Sequence, residues 1–180
     1  SIKTLEDITG DKVKMFRAPG FSITKKNKWA FEVLYELGIE IDSSIFPSSR
    51  AHGGMPSFKR SEPSLLKYNG VFLKEFPIST SKIFGKKTVF SGGGYFRLLP
   101  YFLIKELTKK SDYNMSYFHP RDFDIGQPII SDLSKIRKFK SYVGISGAEA
   151  KLQNWLSDFN FTDISEANNI INWNNKIIKI

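Results

Sequence analysis

Residues 13–42 constrain the fold more than any other stretch. Val13 to Phe16 reads as a short buried strand, and Ile39-Glu40-Ile41-Asp42 reads as a second. Between them, Thr24 is the expected N-cap of a helix running through Leu37, with Trp29, Val33, Leu34 and Leu37 on one apolar face and Gly38 ending it. Strand, helix and strand in this order predict a right-handed parallel crossover. The first strand carries Arg17-Ala18-Pro19-Gly20 at its C-terminal tip. Polar groups at the C-terminal ends of parallel strands fit an α/β fold of barrel-like type.

The remaining elements follow from local signals. Ile2, Leu5 and Ile8 recur at helical spacing and end at Gly10, a helix tail with a glycine cap. Ser43 to Glu62 is an irregular loop with two prolines and two glycines, long enough to be either functional or mobile. Asn69-Gly70, set between Leu65–Tyr68 and Val71–Leu73, predicts a β-hairpin inserted into the α/β order, its second arm closed by Phe76-Pro77-Ile78. Thr88 to Phe90 and Met115 to His119 read as strands, and Pro100 opens a helix to about Lys109. Ser146 and Glu149 form a capping box before a helix that buries Leu152, Trp155, Leu156 and Phe159. A chain of 180 residues without internal repeats is expected to form a single domain spanning 1–180.

Composition excludes several classes of function. The chain has no cysteine, so disulfides, thiolate metal sites and cysteine nucleophiles are ruled out. No apolar run approaches the roughly 18 residues that a membrane span needs. The net charge is +9, from 27 Lys and Arg against 18 Asp and Glu. The lysines are scattered (Lys25, Lys26, Lys28; Lys86, Lys87; Lys135, Lys138, Lys140), which describes a solvated surface and not a nucleic-acid stripe. Aromatic residues make up 14% of the chain, enough to supply both a core and a groove against which sugar rings pack.

Two clusters carry candidate chemistry. In Tyr117-Phe118-His119-Pro120-Arg121-Asp122-Phe123-Asp124, an aromatic run delivers one of only two histidines to a strand end that proline terminates. A histidine held there is a candidate general acid or base, or else a structural cap on a buried strand. About 100 residues earlier stands Phe16-Arg17-Ala18-Pro19-Gly20-Phe21-Ser22. On residue type alone, Arg17 could equally be half of a surface ion pair, Asp42 a turn cap and Arg97 a neighbour of a helix start. Gly92-Gly93-Gly94 lets backbone approach a ligand closely or simply permits a sharp turn, and it lacks the lysine–serine ending of a phosphate loop.

Taken in order, five blocks resemble the C-terminal part of a NodB-type polysaccharide deacetylase of the kind found in bacterial exopolysaccharide gene clusters. They are Phe16-Arg17-Ala18-Pro19-Gly20-Phe21-Ser22-Ile23-Thr24, Ile41-Asp42-Ser43-Ser44-Ile45-Phe46-Pro47, Glu75-Phe76-Pro77, Gly92-Gly93-Gly94-Tyr95-Phe96-Arg97-Leu98-Leu99-Pro100 and Tyr117-Phe118-His119-Pro120. The resemblance implies a partial distorted (β/α) barrel, and a hydrolase that removes N-acetyl groups from a polysaccharide with a divalent metal, usually zinc, and a carboxylate base. It implies that Arg17 holds the catalytic aspartate, that His119 is the general acid and that Asp42 tunes His119. Gly20 or Phe21 would supply the oxyanion N–H, with His52, Tyr95 and Arg97 near the substrate. The family's aspartate pair and its His-x-x-x-His segment have no counterpart, since His52 and His119 stand 67 residues apart. The expectation is therefore an N-terminally shortened chain that binds no metal and is inactive alone, with exposed sheet edges through which a homodimer could form. A glycan-binding or scaffold module of exopolysaccharide synthesis is the alternative.

Overall fold

The computed structural model describes residues 1–50, 53–83 and 85–180. Its strands are β1 (Met15–Phe16), β2 (Ile41–Asp42), β3 (Ser64–Tyr68), β4 (Val71–Glu75), β5 (Ser81–Ile83), β6 (Lys86–Thr88) and β7 (Ile177–Lys179). Its helices are α1 (Ile2–Thr9), α2 (Ala30–Glu36), α3 (Gly93–Leu98), α4 (Tyr101–Thr108), α5 (Lys135–Tyr142), α6 (Ala148–Asp158) and α7 (Ile164–Ile170). The residues gather into two compact units, Ser1–Ile78 with Asn168–Ile180, and Ser79–Ala167. Among the described residues no helix is long and apolar enough to cross a membrane.

The first unit is mixed α/β. Its sheet runs β1-β2-β4-β3-β7, with β1–β2, β2–β4 and β3–β7 parallel and β3–β4 antiparallel. The strand–helix–strand segment thus forms the expected parallel pair, but β1 spans only two residues and both its side chains are exposed, because it lies at the edge of the sheet. Asn69 and Gly70 both take positive φ (45° and 88°), which gives the two-residue turn a twist matching the strands it joins. Gly10 ends α1 in the left-handed conformation, its N–H donating to the Glu6 carbonyl.

The helix between β1 and β2 starts later than its sequence signals suggest and turns a different face inward. Asn27 Oδ1 accepts from both the N–H and the hydroxyl of Thr24 at 2.7 Å, closing a separate turn, so regular helix begins only at Ala30. Phe31 and Leu34 then face the core, while Trp29, Val33 and Leu37 are exposed. Phe31 and Leu34 pack with Ile39, Leu66 and Leu73, each such burial contributing roughly 1.5–3 kcal/mol. The C-terminal strand β7, which carries no turn or periodicity signal, completes the sheet beside β3.

The second unit is built around Phe90, Phe96, Ile104, Leu107 and Trp155. Trp155 keeps its indole N–H satisfied by donating to Thr108 Oγ1 at 2.8 Å, and that hydroxyl donates back to the Ile104 carbonyl. On α6, Leu152 and Phe159 are half-buried but Leu156 is exposed. Ser146 does not cap α6 because a 3-10 turn over Ile145–Gly147 intervenes. Met115 to His119 does not form a strand. Ser79 Oγ takes the Met115 N–H at 2.7 Å and Ser91 Oγ donates to the Met115 carbonyl at 2.7 Å, so serine side chains occupy groups that a ladder would use. Tyr117 makes an isolated parallel bridge to Gly92. The glycines there serve this approach: a Cβ on Gly92 would be driven into the Tyr117 carbonyl oxygen, and one on Gly93 would stand 2.9 Å from the Tyr117 hydroxyl.

Lys151 finishes the unit by closing the C-terminal end of α3. Its ammonium donates to the carbonyls of Phe96, Arg97 and Leu99 at 2.9, 2.8 and 2.6 Å, a cation set where the helix carries its partial negative charge. Replacing Lys151 with Met keeps the aliphatic stem but strands three carbonyls. We expect a loss of about 2 kcal/mol in urea unfolding. A change below about 0.5 kcal/mol would show that water replaces the ammonium fully.

Candidate functional site

Because β1 and β2 are only two residues long, the polar residues that follow them emerge at once at the C-terminal ends of neighbouring parallel strands. Ser43 N–H donates to the Phe16 carbonyl at 2.9 Å, which sets Arg17 beside Ser43. Arg17 donates from Nε to the Ser43 carbonyl at 3.2 Å and from Nη2 to Ser43 Oγ at 2.8 Å. The Ser43 hydroxyl passes its own proton to the Phe76 carbonyl at 2.7 Å, so one serine joins the ends of three strands' worth of chain. Ser44 does the same for the next turn: its hydroxyl accepts from Ala18 N–H at 2.8 Å and donates to Asp42 Oδ1 at 2.5 Å.

Beneath these serines, the register of β2 on β4 sets Asp42 against Glu75. Both carboxyls are 0% exposed. Glu75 Oε1 accepts from Ile45 N–H at 3.0 Å, while Asp42 Oδ2 and Glu75 Oε2 are buried without a donor, and the two carboxyl groups interact with each other. Burial pushes the Glu75 carboxyl well above the usual carboxylate range, and the neighbouring Asp42 pushes it further. Burial also raises Asp42, opposed by its hydrogen bonds to Glu75 and Ser44.

Past Arg17 the chain makes a tight 3-10 turn over Pro19–Phe21. Gly20 (φ 63°) and Phe21 (φ 53°) both adopt left-handed backbone, uncommon for a phenylalanine. Phe21 is held there by three contacts. Its N–H donates to the Ala18 carbonyl at 3.0 Å, its carbonyl accepts from Gly54 N–H at 3.0 Å, and its buried ring packs on Phe46 with 5.3 Å between centroids. Of the two candidate oxyanion donors, Phe21 N–H is therefore already committed, whereas Gly20 is exposed at the turn's apex. The Arg17 and Arg50 guanidiniums lie 5.7 and 5.1 Å from the Phe21 ring centroid.

The second unit presents His119 in a comparable way. Phe118 is packed between Phe96 and Phe123, at 4.9 and 5.4 Å, and this anchors the backbone just ahead of the histidine. His119 itself is exposed, at the entry to a 3-10 turn over Pro120–Asp122. Asp122 grips that entry from both ends: its Oδ2 accepts from His119 N–H at 3.0 Å, and its own N–H donates to the His119 carbonyl at 2.8 Å. Asp122 Oδ1 is in turn 3.2 Å from Arg97 Nε in an ion pair with both side chains almost wholly buried. Arg97 donates its other nitrogens to the carbonyls of Ser141 and Lys140 at 2.8 and 3.1 Å. Burial lowers the Arg97 pKa from its usual value, and the Asp122 charge opposes that fall.

The structure thus brings Arg17, Asp42, Gly20 and Phe21 together in the first unit, and Tyr95, Arg97 and His119 into the second. Tyr95 is 48% exposed, but Arg97 lies under the His119 turn with its guanidinium engaged and not on an open face. His52 lies outside the described residues. Sequence reasoning missed Ser43, Ser44, Glu75 and Asp122 as parts of these sites. For Glu75 a signal existed: alternation along Leu73-Lys74-Glu75 puts it on the same side as the buried Leu73. Asp122 offered none, because its partner Arg97 is remote in sequence. Among the described residues, no three His, Asp or Glu side chains converge as metal ligands would.

A protein-family model described as a domain of unknown function (DUF3473) matches residues 43–169, most of the chain. No curated protein and no solved structure matches it. The matched span holds Ser43, Glu75, Arg97, His119 and Asp122.

Removing the carboxylate of Asp122 would leave a buried guanidinium without its counter-charge and the His119 backbone without its clamp. Asp122→Ala should destabilise the protein by about 3 kcal/mol, and Asp122→Asn by clearly less, since the amide oxygen still accepts from His119 N–H. Chemical unfolding measures both, and equal losses would mean that the bond from His119 N–H contributes nothing and the lost charge accounts for the whole effect.

Proposed function

This chain belongs to the DUF3473 family, and we propose that it contributes an arginine-bearing turn and a histidine-bearing turn to a hydrolase that removes N-acyl groups from a polysaccharide. The observation that carries the proposal is how the five sequence blocks are distributed. Three of them, carrying Arg17, Asp42-Ser43 and Glu75-Phe76-Pro77, meet at neighbouring parallel strand ends through the Ser43 and Ser44 hydroxyls. The other two meet through the Gly92–Tyr117 bridge and the Arg97–Asp122 pair. In this reading the β1–β2–β4 strands belong to a distorted (β/α) barrel.

Hydrolysis of an N-acyl group needs a water to lose a proton as it attacks the carbonyl carbon. The tetrahedral oxyanion must be stabilised, and the C–N bond breaks as the departing nitrogen gains a proton. His119 is suited to the last step: its ring is solvent-exposed while its backbone is fixed by Asp122 and the Phe118 packing. Arg17 is suited to holding a carboxylate base, because two hydrogen bonds to Ser43 fix the guanidinium plane and its charge strengthens any bond to an anion. Gly20 is the donor in its turn that could face an oxyanion. A divalent metal, where one takes part, would polarise the acyl carbonyl and lower the pKa of water.

Acetate release from an N-acetylated polysaccharide by the intact protein tests this reading. His119→Ala should lower turnover by roughly 100-fold or more with KM little changed, as loss of a general acid does. Near-unaltered turnover would remove His119 from the reaction. Polysaccharide binding with no acyl release would instead make the protein a glycan-binding module.

A further inference from the structure

The Asp42–Glu75 contact has a chemical consequence beyond the proposed hydrolysis. Asp42 and Glu75 are cross-strand neighbours, each with one carboxyl oxygen (Asp42 Oδ2, Glu75 Oε2) that has no donor, and both side chains are sealed from solvent. Two ionised carboxylates there would put acceptor against acceptor and like charge against like charge. With one proton between them the same contact becomes a short, charge-assisted hydrogen bond.

The surrounding charges agree with a single negative charge. Arg17 is the cation whose field reaches Glu75. On the same strands, Lys14 and Glu40 pair with each other at 2.8 Å, and Lys74 lies over the Trp173 ring. Across the sheet, Ser64 faces Glu75 and is neutral. On α2, Glu32 bonds to Asn69 and Glu36 is exposed. Among the described residues, Arg17, itself bonded to Ser43, is the cation that offsets charge on Glu75.

We propose that Asp42 and Glu75 share one proton at neutral pH, carried on Glu75 Oε2, and that this bond is a pH-sensitive latch that positions the Arg17–Gly20 turn. The latch works through a continuous chain of donors. The Glu75 carboxylic acid donates to Asp42. In this arrangement Asp42 keeps the charge of the pair and accepts from Ser44 through its other oxygen, and Ser44 accepts from Ala18 N–H, the residue next to Arg17. On the opposite side Glu75 holds Ile45 N–H, keeping Ser43 and Ser44 in line. When the pair loses its proton, the two strand ends repel and the grip on Ala18 loosens. Glu75 is in these terms a positioning residue for Arg17.

The sign of the pH effect is fixed. Glu75 binds its proton more tightly folded than unfolded, so its contribution to stability is complete below the ordinary glutamate range and is lost as pH rises toward the folded pKa. Over that window the unfolding equilibrium should shift against the folded state by up to about tenfold per pH unit.

Infrared spectra of the intact folded protein at pH 7 test the latch directly. A protonated-carboxyl stretch should be present in the wild type and missing from Glu75→Gln, whose amide keeps a donor toward Asp42 but has no proton to lose. Urea unfolding from pH 5 to 8 should show wild-type stability falling relative to Glu75→Gln, and the Ala18 amide resonance should titrate with the wild-type pair and stay fixed in the variant. Absence of the protonated-carboxyl band in folded wild type at pH 7 would overturn the proposal, as would parallel stability profiles. If Glu75→Gln does not fold, comparing the wild-type band before and after unfolding in urea decides the question alone.

Discussion

The first unit depends on its handling of two carboxyl groups that its own sheet register forces together. Parallel pairing of β2 with β4 leaves no freedom: once Ile41 sits against Lys74, Asp42 must sit against Glu75. Leaving both charged in a dry interior would cost several kcal/mol, a large part of the net stability of any domain. The unit resolves this with hydroxyls and backbone amides. Ser44 and Ile45 N–H satisfy the outer oxygens, and Ser43 turns toward Arg17. The residues that look most functional, at the strand ends, are therefore also those on which the folding of the sheet is most exacting.

The second unit meets a similar demand by a different route. Its buried cation, Arg97, is held by one carboxylate and two carbonyls, and its half-buried Lys151 is held by three carbonyls. In both cases a long cationic side chain organises backbone groups that the short helices cannot satisfy themselves. The glycines at 92 and 93 play the complementary part, since removing side chains lets the Tyr117 segment come near enough to be bridged.

What the sequence revealed divides along the same line. Features governed by one or two adjacent residues were readable: the Asn69-Gly70 turn, the Gly10 cap, Pro100 ahead of α4, and the parallel pairing of β1 and β2. Features settled by competition between distant partners were not. Asn27 intercepts Thr24 and rotates the helix face, and Ser79 and Ser91 satisfy Met115 and suppress a strand. Strand β7 exists because β3 offers an edge, not because Ile177-Ile178-Lys179 insists on being extended. For the sites, Arg17 and His119 stood out by their surroundings in sequence. Their supports, Ser43 and Asp122, are ordinary residues made important by the fold.

The discontinuity of the first unit also sets an order in time. Residues 79–167 form a contiguous stretch with its own aromatic core, whereas the first unit is divided between residues 1–78 and 168–180. As the chain leaves the ribosome, the inner stretch has everything it needs before its neighbour does. The free edge of β3 must wait, unpaired, for more than a hundred residues until Ile177 arrives. Throughout that interval it offers a template for any other extended strand, so translation speed and chaperone access act on this molecule chiefly through one short edge.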